Sequence, residues 1–108
     1  MKLSKLLYSD KKWAQHCLGR TKDGIPVNSL DVIHRDGREF DPSRDLEAFS
    51  LYGAIIHLYG GDGQSEVFAK LGDAIRKYSG RKVYLAQWND EATTTFSDVK
   101  AVLEIANL

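Results

Sequence analysis

Residues 13–27 read Trp-Ala-Gln-His-Cys-Leu-Gly-Arg-Thr-Lys-Asp-Gly-Ile-Pro-Val, and the class of fold turns on them. Asp23-Gly24 is a strong hairpin signal, because glycine accepts the positive φ that tight turns between strands demand. On one side Trp13–Arg20 reads as a strand, and on the other Ile25-Pro26-Val27 reads as its return. If extended, the first segment carries Trp13, Gln15 and Cys17 on one face and Ala14, His16 and Leu18 on the other. Pro26 lacks a backbone donor, so the return strand belongs at a sheet edge or is short. A hairpin here commits the chain to a sheet.

Outward from the hairpin the patterns are mainly helical. Leu3, Leu6 and Leu7 follow i, i+3, i+4 spacing, which predicts a short helix over 2–8, broken by Ser9, Asp10, Lys11 and Lys12. Beyond the hairpin, Asp36-Gly37 is a second, weaker turn signal between Val32-Ile33 and Phe40. Asp41-Pro42 has the form of an N-cap followed by proline at the first helical position. The helix it opens is expected to run to Tyr59 and stop at Gly60-Gly61, with Phe49, Tyr52, Ile55, Ile56 and Tyr59 on its apolar stripe. Gly53 inside it costs about 1 kcal/mol relative to alanine. Such a glycine predicts close packing against another backbone.

Gly60 to Gly63 reads as a loop; no Gly-Lys-Ser/Thr follows it, so it is not a phosphate-binding loop. Val67, Phe68, Leu71, Ile75 and Tyr78 then form one continuous face, giving the clearest helix of the chain over 65–78, ended by Gly80. Val83–Trp88 alternates like a strand, with Tyr84, Ala86 and Trp88 opposite Val83, Leu85 and Gln87, before a polar Asn89-Asp90-Glu91 turn. Thr95 and Asp98 make a capping-box-like start for a last helix over 96–107 that buries Val99, Val102, Leu103 and Ala106. The expected architecture is a single α+β domain over 1–108. It has about four helices and a small, mainly antiparallel sheet with strands near 13–20, 25–28 and 83–88.

Composition narrows the function classes. In 108 residues, fifteen Lys plus Arg balance fifteen Asp plus Glu. A zero net charge argues against general nucleic-acid binding or attraction to an anionic membrane. No apolar run approaches the ~18 residues of a membrane span, and no signal-peptide core follows Met1. The expected compartment is the cytoplasm, where the lone Cys17 stays reduced and acts as a buried filler.

Three groups of residues have chemistry to offer. Trp13, Gln15 and Arg20 meet Trp88, Asn89 and Asp90 if strand 83–88 pairs with strand 13–20. Two aromatic plates beside directional polar groups suit a planar or peptide ligand, while a tryptophan core with an Asn-Asp turn is the plainer outcome. Arg76, Lys77, Arg81 and Lys82 form a basic run around a helix C-terminus, where cations complement the dipole and phosphate contact is the less economical reading. His16, His34 and His57 show no metal-ligand spacing, and no metal or cofactor is expected. Asp36, Glu39, Asp41 and Asp45 are explained by a hydrophilic loop and a helix start. Nothing here specifies catalysis.

The stretches from Trp13-Ala-Gln15 through Arg20 to Asp23-Gly-Ile-Pro-Val27, and Trp88-Asn-Asp90 leading into Thr95-Phe-Ser-Asp-Val99, carry a resemblance. They resemble a family of small uncharacterised bacterial and phage proteins, classed as a domain of unknown function, with Trp-x-Gln and Trp-Asn-Asp motifs. Leu51-Tyr52-Gly53-Ala54 stands where that family has a Gly-Ala helix. The resemblance spans nearly the whole chain and implies a compact stand-alone domain, without an activity to transfer. The expectation is a small non-enzymatic, cytoplasmic protein-interaction module, phage- or mobile-element-encoded and acting on a host system. Two alternatives stand beside it: a small-ligand or nucleotide-binding domain using the Trp13/Trp88 region, and a small hydrolase or transferase with a site assembled across the fold.

Overall fold

The hairpin is present, though shorter than its sequence pattern. In the computed structural model, which describes residues 2–28, 46–60 and 64–108, strand β1 (Gly19–Arg20) lies between β2 (Pro26–Val27) and β3 (Ala48–Phe49), all antiparallel. Gly24 has φ +80° in the connecting turn, which closes through the Gly24 N–H on the Thr21 carbonyl at 2.9 Å. Pro26 sits on the edge strand, where its missing donor costs no ladder bond.

Residues 13–18 are not the regular strand that alternation suggests. His16 adopts φ 64°, a left-handed conformation that turns the chain, and Trp13 makes only an isolated bridge to Phe49. The turn brings Ala14 and Cys17, three apart, into one small buried cluster with Ala48. A period of two cannot survive a left-handed residue in its middle.

Five α-helices surround the sheet among the described residues: α1 (Leu3–Leu6), α2 (Leu51–Tyr59), α3 (Gln64–Ser79), α4 (Leu85–Asp90) and α5 (Phe96–Ala106). The fold is α+β, as the sequence leads one to expect. Helix α1 buries Leu3 and, just beyond it, Leu7. Helix α3 buries Val67, Leu71, Ala74 and Ile75, packs along α5, and ends at Gly80 with φ +72°. Helix α5 starts with a complete capping box between Thr95 and Asp98 and buries Val99, Val102 and Leu103. These faces meet Leu51, Ala54 and Ile55 of α2 and Trp88 of α4 in one continuous core.

Two elements differ from the sequence expectation. The helix that ends at Tyr59 does not run unbroken from the Asp41-Pro42 region: it begins at Leu51, because Phe49 and Ala48 are paired in β3 and Ser50 caps the helix by accepting the Gly53 N–H at 3.0 Å. Its capping proline, the Asp36-Gly37 turn, His34 and the acidic residues 36–45 lie outside the described residues. The helix does stop at Tyr59, yet Gly60 has φ −54°, not a left-handed value. Glycine is required there by proximity, since a Cβ would lie 2.6 Å from the Ile56 carbonyl oxygen.

The expected strand at 83–88 is α4. Leu85, Trp88 and Asn89 are buried at i, i+3, i+4 while Tyr84, Ala86 and Gln87 face solvent, which is a helical period. Val83 and Tyr84 supplied β-like propensity, and burial of Trp88 with Asn89 overrode it.

Asp98 links α5 back to α3: its carboxylate accepts the Tyr78 hydroxyl at 2.6 Å and the Thr95 N–H at 2.8 Å. The Tyr78 hydrogen bond, then the Thr95 backbone, hold this carboxyl below the ordinary aspartate range. A depressed carboxyl stabilises the fold above its unfolded pKa, and the contribution is lost as pH falls through the folded value. Tyr78→Phe should therefore flatten the acid limb of the stability–pH curve below the usual aspartate pKa. Urea midpoints measured across that window for both proteins check this; parallel curves would refute it.

Candidate functional site

Trp13, Gln15, Asn89 and Asp90 come together, not by pairing of strands 13–20 and 83–88 but around Asn89 as the hub. It is 1% exposed and uses all of its hydrogen-bonding capacity within the fold. Its Oδ1 accepts the Trp13 Nε1–H at 2.8 Å and the Leu51 N–H at 3.0 Å. Its Nδ2 donates to the Ala14 carbonyl at 3.0 Å and to Asp90 Oδ1 at 2.9 Å. One side chain thus ties the 13–18 segment, the start of α2 and the end of α4. Gln15 completes the tie, donating from Nε2 to the Asn89 and Glu91 carbonyls at 2.9 and 3.0 Å.

Trp88 is 3% exposed in the core and Trp13 packs against the same core, half-buried. Among the described residues, neither lines the cavities at Asp90 or at the basic run. Arg20 points away from them, donating to the Gly24 carbonyl at 3.1 Å within the hairpin.

Asp90 stands at the outer side of this tie. Its Oδ1 also accepts the His16 N–H at 2.8 Å, which anchors the left-handed turn. Beside it opens a cavity of about 290 Å³, walled by His16, Cys17, Ser50, Tyr52, Ala86 and Asp90 among others. Ser50 is fully engaged, donating to the Leu18 carbonyl and capping α2. The Cys17 thiol is pushed up by burial, with Arg20 partly offsetting and Asp90 adding to the rise. It is a neutral wall, not a thiolate nucleophile.

A second, larger depression of about 600 Å³ lies between α3 and the segment leading into α4. Arg76, Arg81 and Lys82 of the basic run rim it, with Val83 and Tyr84 on one side and Gly72 and the acidic Asp73 on the α3 side. Lys77 is not part of it. Adding a side chain at Gly72 would meet nothing within 4 Å, so the groove floor is open there. Tyr84 is 84% exposed, the most exposed large hydrophobic side chain among the described residues.

The basic run is partly compensated by acids from elsewhere in the fold. Arg81 makes a two-pronged pair with Glu91 at 2.9 and 2.7 Å, which raises the guanidinium and lowers the carboxyl. Arg76 pairs with Asp73 at 3.1 Å. Lys82 makes no ion pair among the described residues.

Sequence reasoning missed His16, Ser50, Tyr52 and Tyr84 as wall residues. No local signal marks a left-handed histidine, and Tyr84 was hidden by its place in an apparent strand. Among the described residues no three His, Cys, Asp or Glu side chains converge to hold a metal ion. No helix among them is long and apolar enough to cross a membrane.

Neither the curated proteins nor the solved structures contain a significant match to this chain. The model of a family of unknown function, DUF6197, matches residues 2–107, nearly the whole length, and the chain belongs to that family.

Proposed function

We propose that this protein is a small, non-enzymatic cytoplasmic binding module that takes an acidic segment of a protein partner in the groove rimmed by Arg76, Arg81 and Lys82. The observation that carries this reading is Tyr84. An aromatic side chain left 84% exposed beside a groove of about 600 Å³ is an unspent apolar contact. Aromatic and arginine side chains are the groups that dominate protein interfaces. Arg81 is already held in place by Glu91, so little side-chain entropy is lost when it meets a second carboxylate.

A non-enzymatic role is supported from the residues around the tryptophans. The polar groups at the tryptophans are satisfied by one another, and the Cys17 thiol is held protonated. The likeness of the Trp-x-Gln and Trp-Asn-Asp motifs to bacterial and phage proteins supports a partner within a bacterial host system.

Replacing Tyr84 by the photo-crosslinker p-benzoylphenylalanine in source cells tests the reading. Irradiation should yield one discrete adduct, weakened at high salt because the rim charges are exposed. The adduct should disappear when Arg76→Glu and Lys82→Glu are combined in a protein that still unfolds cooperatively. No discrete adduct, or one indifferent to the charge reversals, would overturn it.

A further inference from the structure

The cavity beside Asp90 is separate from the basic groove, and its chemistry is of opposite sign. Among the described residues Asp90 is its one formally charged wall residue, and neither lysine nor arginine lines it. The Asp90 carboxylate is held in place through Oδ1, which accepts both the His16 N–H and the Asn89 amide. Oδ2 accepts no hydrogen bond from the described residues. Tyr52, 40% exposed and braced by a tilted contact with Phe68 at 5.4 Å, forms an aromatic wall of the same cavity. About 290 Å³ is at the lower edge of ligand-pocket sizes, roughly 300–1,000 Å³. The space suits a head group rather than a nucleotide.

We infer that this cavity binds a guanidinium group, with one N–H on Asp90 Oδ2 and the cation against Tyr52. A fixed carboxylate oxygen provides a charge-assisted hydrogen bond. A planar, weakly hydrated cation also gains from an aromatic neighbour, which a compact ammonium does less well. The anchoring of Oδ1 by two internal donors means that the carboxylate needs no reorganisation to receive the ligand.

The test compares butylguanidine with butylurea, which has the same shape without the charge, by titration of the ¹⁵N-labelled protein. Butylguanidine should give saturable shifts at the His16, Cys17 and Asp90 amides, and butylurea should bind at least about tenfold more weakly. Asp90→Asn keeps an oxygen to accept the His16 N–H while removing the charge, and it should lose binding by about the same factor. Ala86→Phe fills the cavity from an exposed position one helical turn before Asp90 and keeps the Asp90 charge, and it should abolish binding even if Asp90→Asn misfolds. Equal binding of the two ligands, undiminished binding to Ala86→Phe, or no saturable shift would each overturn the assignment. N-acetylarginine methylamide separates the two sources of the group. Tighter binding than butylguanidine assigns it to an arginine side chain of a protein; weaker binding assigns it to a free small molecule.

Discussion

Gly53→Ala is expected to destabilise the protein by about 3 kcal/mol or more, although alanine is the better helix former. The two effects have opposite signs, and geometry decides between them. Propensity favours the variant by about 1 kcal/mol. Against this, a methyl at Gly53 would overlap the Leu18 carbonyl, with the carbonyl carbon 2.9 Å away. That carbonyl cannot retreat cheaply. It accepts the Ser50 N–H at 2.9 Å and the Ser50 hydroxyl at 3.1 Å, so shifting it breaks the joint between the 13–18 segment and the start of α2. A domain with roughly 5–15 kcal/mol in total would keep only a thin margin. Urea unfolding of the two proteins measures the difference; a neutral or stabilised variant would show that this crossing is not tight.

Asn89→Ala should cost about 3–5 kcal/mol, because it strands several buried groups at once. The Leu51 N–H, the Trp13 Nε1–H and the Ala14 carbonyl each lose their partner in a place water reaches poorly. Each buried group left unpaired costs on the order of 1–3 kcal/mol, and the Asp90 carboxylate loses a donor as well. Asn89→Asp sharpens the attribution. It retains both acceptor functions but not the donor to Ala14, and it sets a second carboxylate beside Asp90. Burial and the neighbouring charge raise the new carboxyl's pKa, so this variant should be least stable above that pKa and recover as it protonates in acid. Chemical denaturation at neutral and acidic pH checks both variants. A loss below about 1 kcal/mol for the alanine variant would mean the tie is redundant.

The helices that carry long apolar faces were legible because their period needs no knowledge of a partner. Val67, Leu71 and Ile75 in α3, and Val99, Val102 and Leu103 in α5, are buried as their spacing demands. Caps were legible for the same reason: Thr95 with Asp98, and Gly80 at φ +72°, act on groups within a turn of themselves. The close approach at Gly53 was also readable, since a glycine inside a helix needs an external cause. The short segment before Asn89 was not so readable. Val83–Trp88 alternates in apolarity, but a core that claims Leu85, Trp88 and Asn89 together admits only a helix.

The candidate site divides along the same line. Trp13, Gln15, Arg20, Trp88, Asn89 and Asp90 were identified as a group whose members would meet; Trp13, Gln15 and Asp90 meet at Asn89 and its backbone, while Arg20 turns back to the hairpin. Which of them would face inward was not readable, because the left-handed turn at His16 comes from a carboxylate 74 positions away in sequence. The basic run was evident as a run, yet its pairing with Glu91 and Asp73, and its place on a groove, are properties of packing.

By itself, then, the chain's sequence determined an α+β domain with balanced charge, the helices α3 and α5 with their caps at Gly80 and Thr95, and a hairpin with proline at the edge. These follow from forces acting within one or two turns of backbone. Only the tertiary structure decided that Asn89 is a buried joint, that Asp90 fronts a cavity and that Tyr84 stands exposed beside cations. Each depends on groups far apart in sequence competing for the same hydrogen bond or the same volume, and that competition is resolved only when the whole core is packed.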